Sequence, residues 1–287
     1  MGADDAAARH PEVRIGISGW VYPRWRGEFY PAGLRQADEL AYASERLTAI
    51  ELNGSFYALQ RPPSWARWRD TAPEGFVFAV KGPRFITHIK RLRETAAPLA
   101  NFFASGVLDL GPKLGPILWQ LPPTLAYEHG LLDRFLGALP ATRSQASRLA
   151  ARHDGRMTGR SSYRAGDDAP LRHAVEVRHP SFETAADEWA DLLAQHGVAS
   201  VTADTAGRYP RIDRVTAGFA YARLHGEEEL YASGYDDTSL DRWAEWARGH
   251  LAAGRDAYLF FDNDVKVRAP FDAMALIERL PRPGEAG

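Results

Sequence analysis

The 287-residue chain has no cysteine. That absence excludes a disulfide framework, a thiolate nucleophile, a zinc finger and a cysteine-ligated iron–sulfur cluster, and it fits a cytoplasmic home best. No apolar run approaches the roughly 20 residues of a membrane span. The stretch from Met1 to Arg9 lacks the apolar centre of a secretory leader, and Ala6 stands where a myristoylation signal wants Ser or Thr. No glycine-rich loop of the GxGxxG or GxxxxGK type follows a β-rich run, which disfavours a dinucleotide-binding fold. A dominant sign of charge is missing too. Lys and Arg number 35 against 37 Asp and Glu, so an electrostatic grip on nucleic acid over the whole surface is disfavoured, while a local basic patch stays compatible.

What is present is ordinary for a globular chain: 45% of residues are hydrophobic, enough for a sizeable core. Eight β-rich runs recur at residues 14–19, 48–55, 76–81, 115–123, 173–180, 198–204, 219–226 and 257–264. Helical patterns fall between them, including a basic stretch from His88 to Arg93. This alternation predicts an α/β protein, a single (β/α)8 TIM-type barrel over residues 13–283, with tails at 1–12 (disordered) and 284–287. One connection is long. Residues 141–172 carry Arg143, Arg148, Arg152, Arg156, Arg160 and Arg164, an Arg-rich insertion between helix 4 and strand 5. It leaves from the end of the barrel opposite the active face, so a surface or oligomer role is expected of it.

The strands break a rule. Strands of a parallel sheet are normally apolar on both faces. Here the run His173-Ala174-Val175-Glu176-Val177-Arg178-His179-Pro180 alternates, so that Glu176 and Arg178 share one face. Glu51 and Asn53 repeat the pattern, as do Arg223 and His225 beside Tyr221. Lys81, Gln120, Asp204, Asp262 and Asn263 close other strands, and Arg84 follows Lys81. In barrels of this class the strand ends build the site. The competing explanation is a charge-balanced network in which Arg178 neutralises Glu176 and Arg223 neutralises Asp262. An aromatic loop from Trp20 to Tyr30 reads as a plug over the core, with Trp20 and the later Tyr57 as aromatic candidates for substrate contact.

Taken together, Ile17-Ser18-Gly19-Trp20, Glu51-Leu52-Asn53 with Ser55-Phe56-Tyr57, Ala79-Val80-Lys81, Arg84-Phe85-Ile86-Thr87-His88, Leu118-Trp119-Gln120-Leu121-Pro122-Pro123, Glu176-Val177-Arg178-His179-Pro180, Arg223-Leu224-His225-Gly226 and Phe261-Asp262-Asn263-Asp264 resemble the YecE-like family, domain of unknown function 72. The likeness spans residues 13 to 281. It implies a TIM barrel, in agreement with the strand count, and assigns no reaction. The Arg-rich insertion looks longer than the family's minimal connection.

The constellation favours an enzyme, a hydrolase or isomerase, acting on a small anionic substrate such as a phosphorylated or carboxylated sugar or nucleotide fragment. Arg178, Arg223, Arg84 and Lys81 would hold the anion, with Asn53, Gln120, His179 and Asn263 around it. Glu51 or Glu176 would serve as base and His225 as its acid partner, with Asp262 beside them. No motif implies a cofactor. One alternative is a divalent metal held among Glu51, Glu176, Asp204, His225 and Asp262, as in isomerases and endonucleases on similar barrels, although no compact HExxH-like spacing supports it. Lys81 as a Schiff-base nucleophile is another. A third is a nucleic-acid or anion-binding protein without turnover, using the aromatic loop and the basic stretch from Lys81 to Arg93. No membrane association is expected, and the sequence sets no oligomeric state.

Overall fold

A computed structural model describes residues 10–280. Eight strands, β1 (Val13–Ser18), β2 (Ala49–Leu52), β3 (Val77–Lys81), β4 (Leu114–Gln120), β5 (His173–Glu176), β6 (Ala199–Asp204), β7 (Phe219–Leu224) and β8 (Asp256–Phe261), follow one another in a closed ring. Neighbours pair in parallel, and β1 closes on β8 with Val13 beside Ala257. This is the (β/α)8 barrel the alternation predicts. The expected tails lie outside the described residues apart from 10–12, and Glu12 already donates its backbone N–H to Asp256 Oδ1 at 2.8 Å.

Strand parity divides the core in two. Outward residues such as Ile50, Phe78, Trp119, Val175 and Leu259 pack under the helices. Inward residues such as Ala49, Ala79, Ala174, Val201, Tyr221 and Phe260 fill the ring itself. Small alanines on four strands leave room for the four aromatic rings of Phe219, Tyr221, Tyr258 and Phe260. Gly16 has a related cause: a Cβ there would stand 1.8 Å from the Ala49 carbonyl oxygen, so only glycine lets β1 approach β2 this closely.

Three expectations need correction. The strands stop earlier than their sequence runs suggest: β2 ends at Leu52, with Asn53 leading into the helical turn Gly54–Tyr57, and β5 ends at Glu176. The basic stretch from His88 to Arg93 is not a regular helix. A π-helical turn covers Phe85–Ile89, and Arg91 and Leu92 take positive φ (49° and 64°) so that Leu92 turns into the core while Arg91 reaches the Thr124 carbonyl at 2.7 Å. The regular helix is the apolar Ala96–Ala104.

The third correction concerns the Arg-rich insertion. It does leave from the strand starts, where the Arg143 N–H donates to the Ala169 carbonyl at 3.1 Å. Its helix Arg143–Ala150 then climbs the barrel against helix Ala96–Ala104. Asp154 N–H donates to Asn101 Oδ1 at 3.0 Å, and Ser162 Oγ to Asp109 Oδ1 at 2.8 Å. The climb carries Arg156 and Arg160 to Tyr57 and Phe85, near the C-terminal strand ends. Position in the chain could not reveal that reversal of direction.

The aromatic loop is the expected plug. Trp25, Phe29 and Tyr30 are buried, and Trp25 Nε1 donates to the Asp264 carbonyl at 3.3 Å, pinning the loop to the end of β8. Among the described residues no helix is long and apolar enough to cross a membrane.

Candidate active site

Because side chains alternate, the inward set at the C-terminal strand ends comprises Ser18, Glu51, Lys81, Gln120, Glu176, Arg223 and Asp262. Arg223 is the hub, and it is fully buried. Its Nε donates to Glu51 Oε2 at 3.0 Å, Nη2 to Glu51 Oε1 at 2.8 Å and to Asp262 Oδ2 at 2.8 Å, and Nη1 to Glu176 Oε2 at 2.5 Å. Burial alone would lower its pKa, but the three carboxylates more than offset this and hold it well above the usual value. The Tyr221 hydroxyl donates to Glu51 Oε2 at 2.7 Å and Ser18 Oγ to Glu51 Oε1 at 3.0 Å. Arg178 Nε donates to Glu176 Oε1 at 2.7 Å. Burial pushes Glu176 up, and Arg178 and Arg223 overcome it, leaving the carboxyl well below its ordinary range. The two ion pairs of the charge-balanced network, Arg178 with Glu176 and Arg223 with Asp262, both form.

This packing corrects several roles read from the sequence. Arg223 has every nitrogen engaged, so it braces the barrel and has no donor left for an anion. Glu51 and Glu176 are sealed, with both oxygens of each bonded. His225 is also sealed, 3.1 Å through Nδ1 from Asp262 Oδ2 but off hydrogen-bond geometry. Burial and then Arg223 lower its pKa. Asp204 shares the outward face of β6 with Ser200 and Thr202, away from the ring. The proposed metal ligands therefore do not converge on a shared point. A guanidinium occupies their centre, and the described residues contain no group of three or more His, Asp or Glu arranged to hold a metal ion.

Other candidates face elsewhere. Asn263 is buried and donates to the Ser233 carbonyl at 2.9 Å and Asp272 Oδ2 at 2.8 Å, holding a loop to a helix. His179 Nδ1 lies 2.9 Å from Ser181 Oγ. Trp20 packs edge-on to Trp68 at 5.6 Å, outside the mouth, and Asn53 Oδ1 is buried without a partner among the described residues.

The polar ends still free form one side of the mouth. Lys81 Nζ makes no hydrogen bond or ion pair among the described residues and stands 4.3 Å over the Phe56 ring. Burial, and then Arg223, lower its pKa to about 8. His88 meets the same Phe56 ring edge-on at 5.1 Å, with its Nδ1 2.8 Å from Thr87 Oγ1. Burial, and then the positive charges of Lys81, Arg84 and Arg178, push His88 down to about 4. Asp262 keeps a partly exposed edge: burial raises it, but Arg223 and His225 bring it to about 2. Arg84 is exposed and Gln120 nearly buried, and neither side chain has a partner among the described residues.

Sequence reasoning did not single out His88 as a site residue, taking it only as part of a basic helical stretch. It also missed Tyr231. The loop beyond β7 places that ring edge-on to His225 at 5.3 Å with its hydroxyl toward Arg178. Gly226 supplies the φ of +116° that starts the loop, and Tyr231 is held at φ +64°, a strained conformation, in this cover over the cluster. Hollows of about 650 and about 700 Å³ lie at the opposite end, lined by residues such as Glu12, Arg14, Glu74 and Phe76. Volume and chemistry thus point to different ends. The strand-end chemistry is the better guide, since the strand starts of a (β/α)8 barrel serve stability.

Residues 14–286 match the family model described as Protein of unknown function DUF72. The UPF0759 protein YecE of Escherichia coli O157:H7 is 29% identical over 197 residues, covering 67% of this chain and 59% of the relative. The UPF0759 protein YunF of Bacillus subtilis is 28% identical over 116 residues, 39% of this chain and 40% of the relative. A DUF72 family protein from Thermotoga maritima superposes with a TM-score of 0.72 at 24% identity, covering 93% of this chain and 98% of that one. One from Enterococcus faecalis gives 0.69 at 14%, covering 93% and 95%. These likenesses bear on the fold.

Proposed function

The chain belongs to the DUF72 family, proteins of unknown function, and from that premise we propose that it is an enzyme acting by acid/base chemistry at the C-terminal mouth of its barrel on a small anionic substrate. The observation that carries the proposal is the pair flanking Phe56. Every other buried charge in the ring has a directly bonded partner of opposite sign, whereas Lys81 has no such partner among the described residues and feels Glu51, Asp262 and Glu176 only at longer range.

An unpaired buried cation costs several kcal/mol, which a fold would shed if only stability mattered. His88 and Lys81 also titrate far apart, near 4 and near 8. At neutral pH the imidazole is uncharged and can accept a proton, while the ammonium can donate one. Arg178 and Arg84 supply guanidinium forks suited to a phosphate or carboxylate. Glu51, Glu176 and Arg223 fix the geometry. A phosphorylated or carboxylated sugar, undergoing isomerisation or hydrolysis, fits these roles.

The test is turnover against a panel of sugar phosphates and sugar acids. Lys81→Met and His88→Asn should each abolish the activity found without lowering the melting temperature by more than a few degrees. Activity that survives both substitutions would sink the proposal.

A further inference from the structure

We infer that the groove beside Phe56 is a subsite for a nucleotide unit, taking a flat base on its aromatic floor and a phosphate on two arginines of the insertion. The inference deepens the proposed function and rests on it for the neighbouring mouth. The groove has a volume of about 150 Å³, with Phe56, Tyr57, Phe85 and Ile86 as its apolar wall and Arg156 and Arg160 at its rim. No carboxylate lines it. A hollow of roughly that size accommodates a single benzene ring, and drug-sized ligands take roughly 300–1,000 Å³, so there is room for one ring system and its substituents must project over the rim.

Four features point to an anion-bearing ring. Tyr57 and Phe85 are 71% and 40% exposed, two of only seven large apolar side chains so exposed among the described residues. Exposed rings without a protein neighbour over them offer stacking faces. Arg160 Nε donates to the Arg156 carbonyl at 2.6 Å, which orients the guanidinium and leaves its two terminal nitrogens without an acceptor among the described residues. Among the described residues the Arg156 guanidinium has one ion partner, Asp154 at 3.7 Å. The arginines are also held in place, since the segments around them are tied to Asn101 and Asp109. Finally, Phe56 is the common wall between groove and mouth: its ring lies under Lys81 Nζ. A ligand seated on Tyr57 would extend toward the proposed proton-transfer pair.

The experiment is calorimetric titration of the intact chain with adenosine 5′-monophosphate, adenosine and ribose 5-phosphate. The monophosphate should bind about tenfold more tightly than either fragment, as one stacked base and one guanidinium contact would give. Tyr57→Ala and Arg160→Ala should each weaken it about tenfold with unchanged melting temperature, both side chains being exposed. Monophosphate binding that is absent, or indifferent to both substitutions, overturns the subsite. Ribose 5-phosphate reports separately on the mouth. If it binds and Arg178→Ala abolishes that binding, the mouth reading stands whatever the groove does. Monophosphate binding that needs Tyr57 and Arg160 in a chain whose Lys81→Met variant loses no turnover would keep the subsite and remove the proposed chemistry.

Discussion

Arg223 and Glu51 clasp each other across the barrel, guanidinium to carboxylate through two contacts of 2.8 and 3.0 Å, with neither side chain exposed. They come from β7 and β2, strands that are not neighbours, so the pair works as a cross-brace. Substituting Arg223 by Met strands Glu51, Glu176 and Asp262 around an empty centre. Removing one partner of a buried pair typically costs about 3–5 kcal/mol, and here Glu51 and Asp262 lose their arginine while Glu176 keeps only Arg178. Thermal melting of Arg223→Met should show a drop of many degrees or no folded state. A melting temperature within two or so degrees of the parent would contradict the brace.

Lys81 gives the opposite result. Its folded pKa of about 8 lies below the unfolded value of 10.5, so the unfolded chain binds the proton more tightly. The penalty is full below pH 8 and is relieved as pH rises from 8 to 10.5. A gap of that size corresponds to about 3 kcal/mol at pH 7. Lys81→Met should be at least as stable as the parent at pH 7, and its advantage should shrink by pH 10. Urea midpoints of both chains at the two pH values check this; a less stable variant at pH 7 would show that Lys81 has a partner.

Turnover should follow a bell in pH. It rises as His88 loses its proton near 4 and falls as Lys81 loses its own near 8. Lys81→Arg should carry the alkaline limb beyond the measurable range if any rate is left. A flat profile between pH 6 and 10 would remove Lys81 as the acid.

His173 should govern acid lability. It is buried and neutral, accepting from Trp119 Nε1 at 3.1 Å on Nδ1 and lying 2.9 Å from the Pro140 carbonyl on Nε2. A second proton on Nδ1 would face the indole N–H. Burial lowers its pKa from 6.5 to about 4, so the unfolded state takes up the proton first, and stability falls as pH drops through that window. The loss amounts to about 3 kcal/mol. In His173→Gln the melting temperature should depend less steeply on pH between 6.5 and 4; equal slopes would assign the lability elsewhere, His88 being next.

Gly226 hinges the cover. A Cβ there would stand 2.4 Å from the Glu229 carbonyl oxygen, at a φ of +116° that other residues rarely adopt. Gly226→Ala should lift Tyr231 off His225 without disturbing the ring of strands. Limited proteolysis between residues 227 and 235 should accelerate while the urea midpoint barely moves. Unchanged cleavage would mean that the loop absorbs the methyl group in place.

Sequence alone determined the architecture and the central members of the polar ring, though it also enrolled Asp204 and Asn263, which face elsewhere. A side-chain period of two puts Glu51, Glu176 and Arg223 on the same inward face of their strands, and eight β/α alternations close into one barrel. It also gave the pairing of Arg178 with Glu176, because residues two apart on one strand face are neighbours. Only the tertiary structure decided which charges are neutralised and which are left over. Glu51 lies 172 positions from Arg223, and no local pattern reveals that one guanidinium answers three carboxylates while Lys81 goes unpaired. The same holds for the insertion, whose arginines reach Tyr57 because a helix climbs the barrel. Parity is a property of the chain, but burial and the distances between charges arise when distant strands meet, and those distances set each pKa.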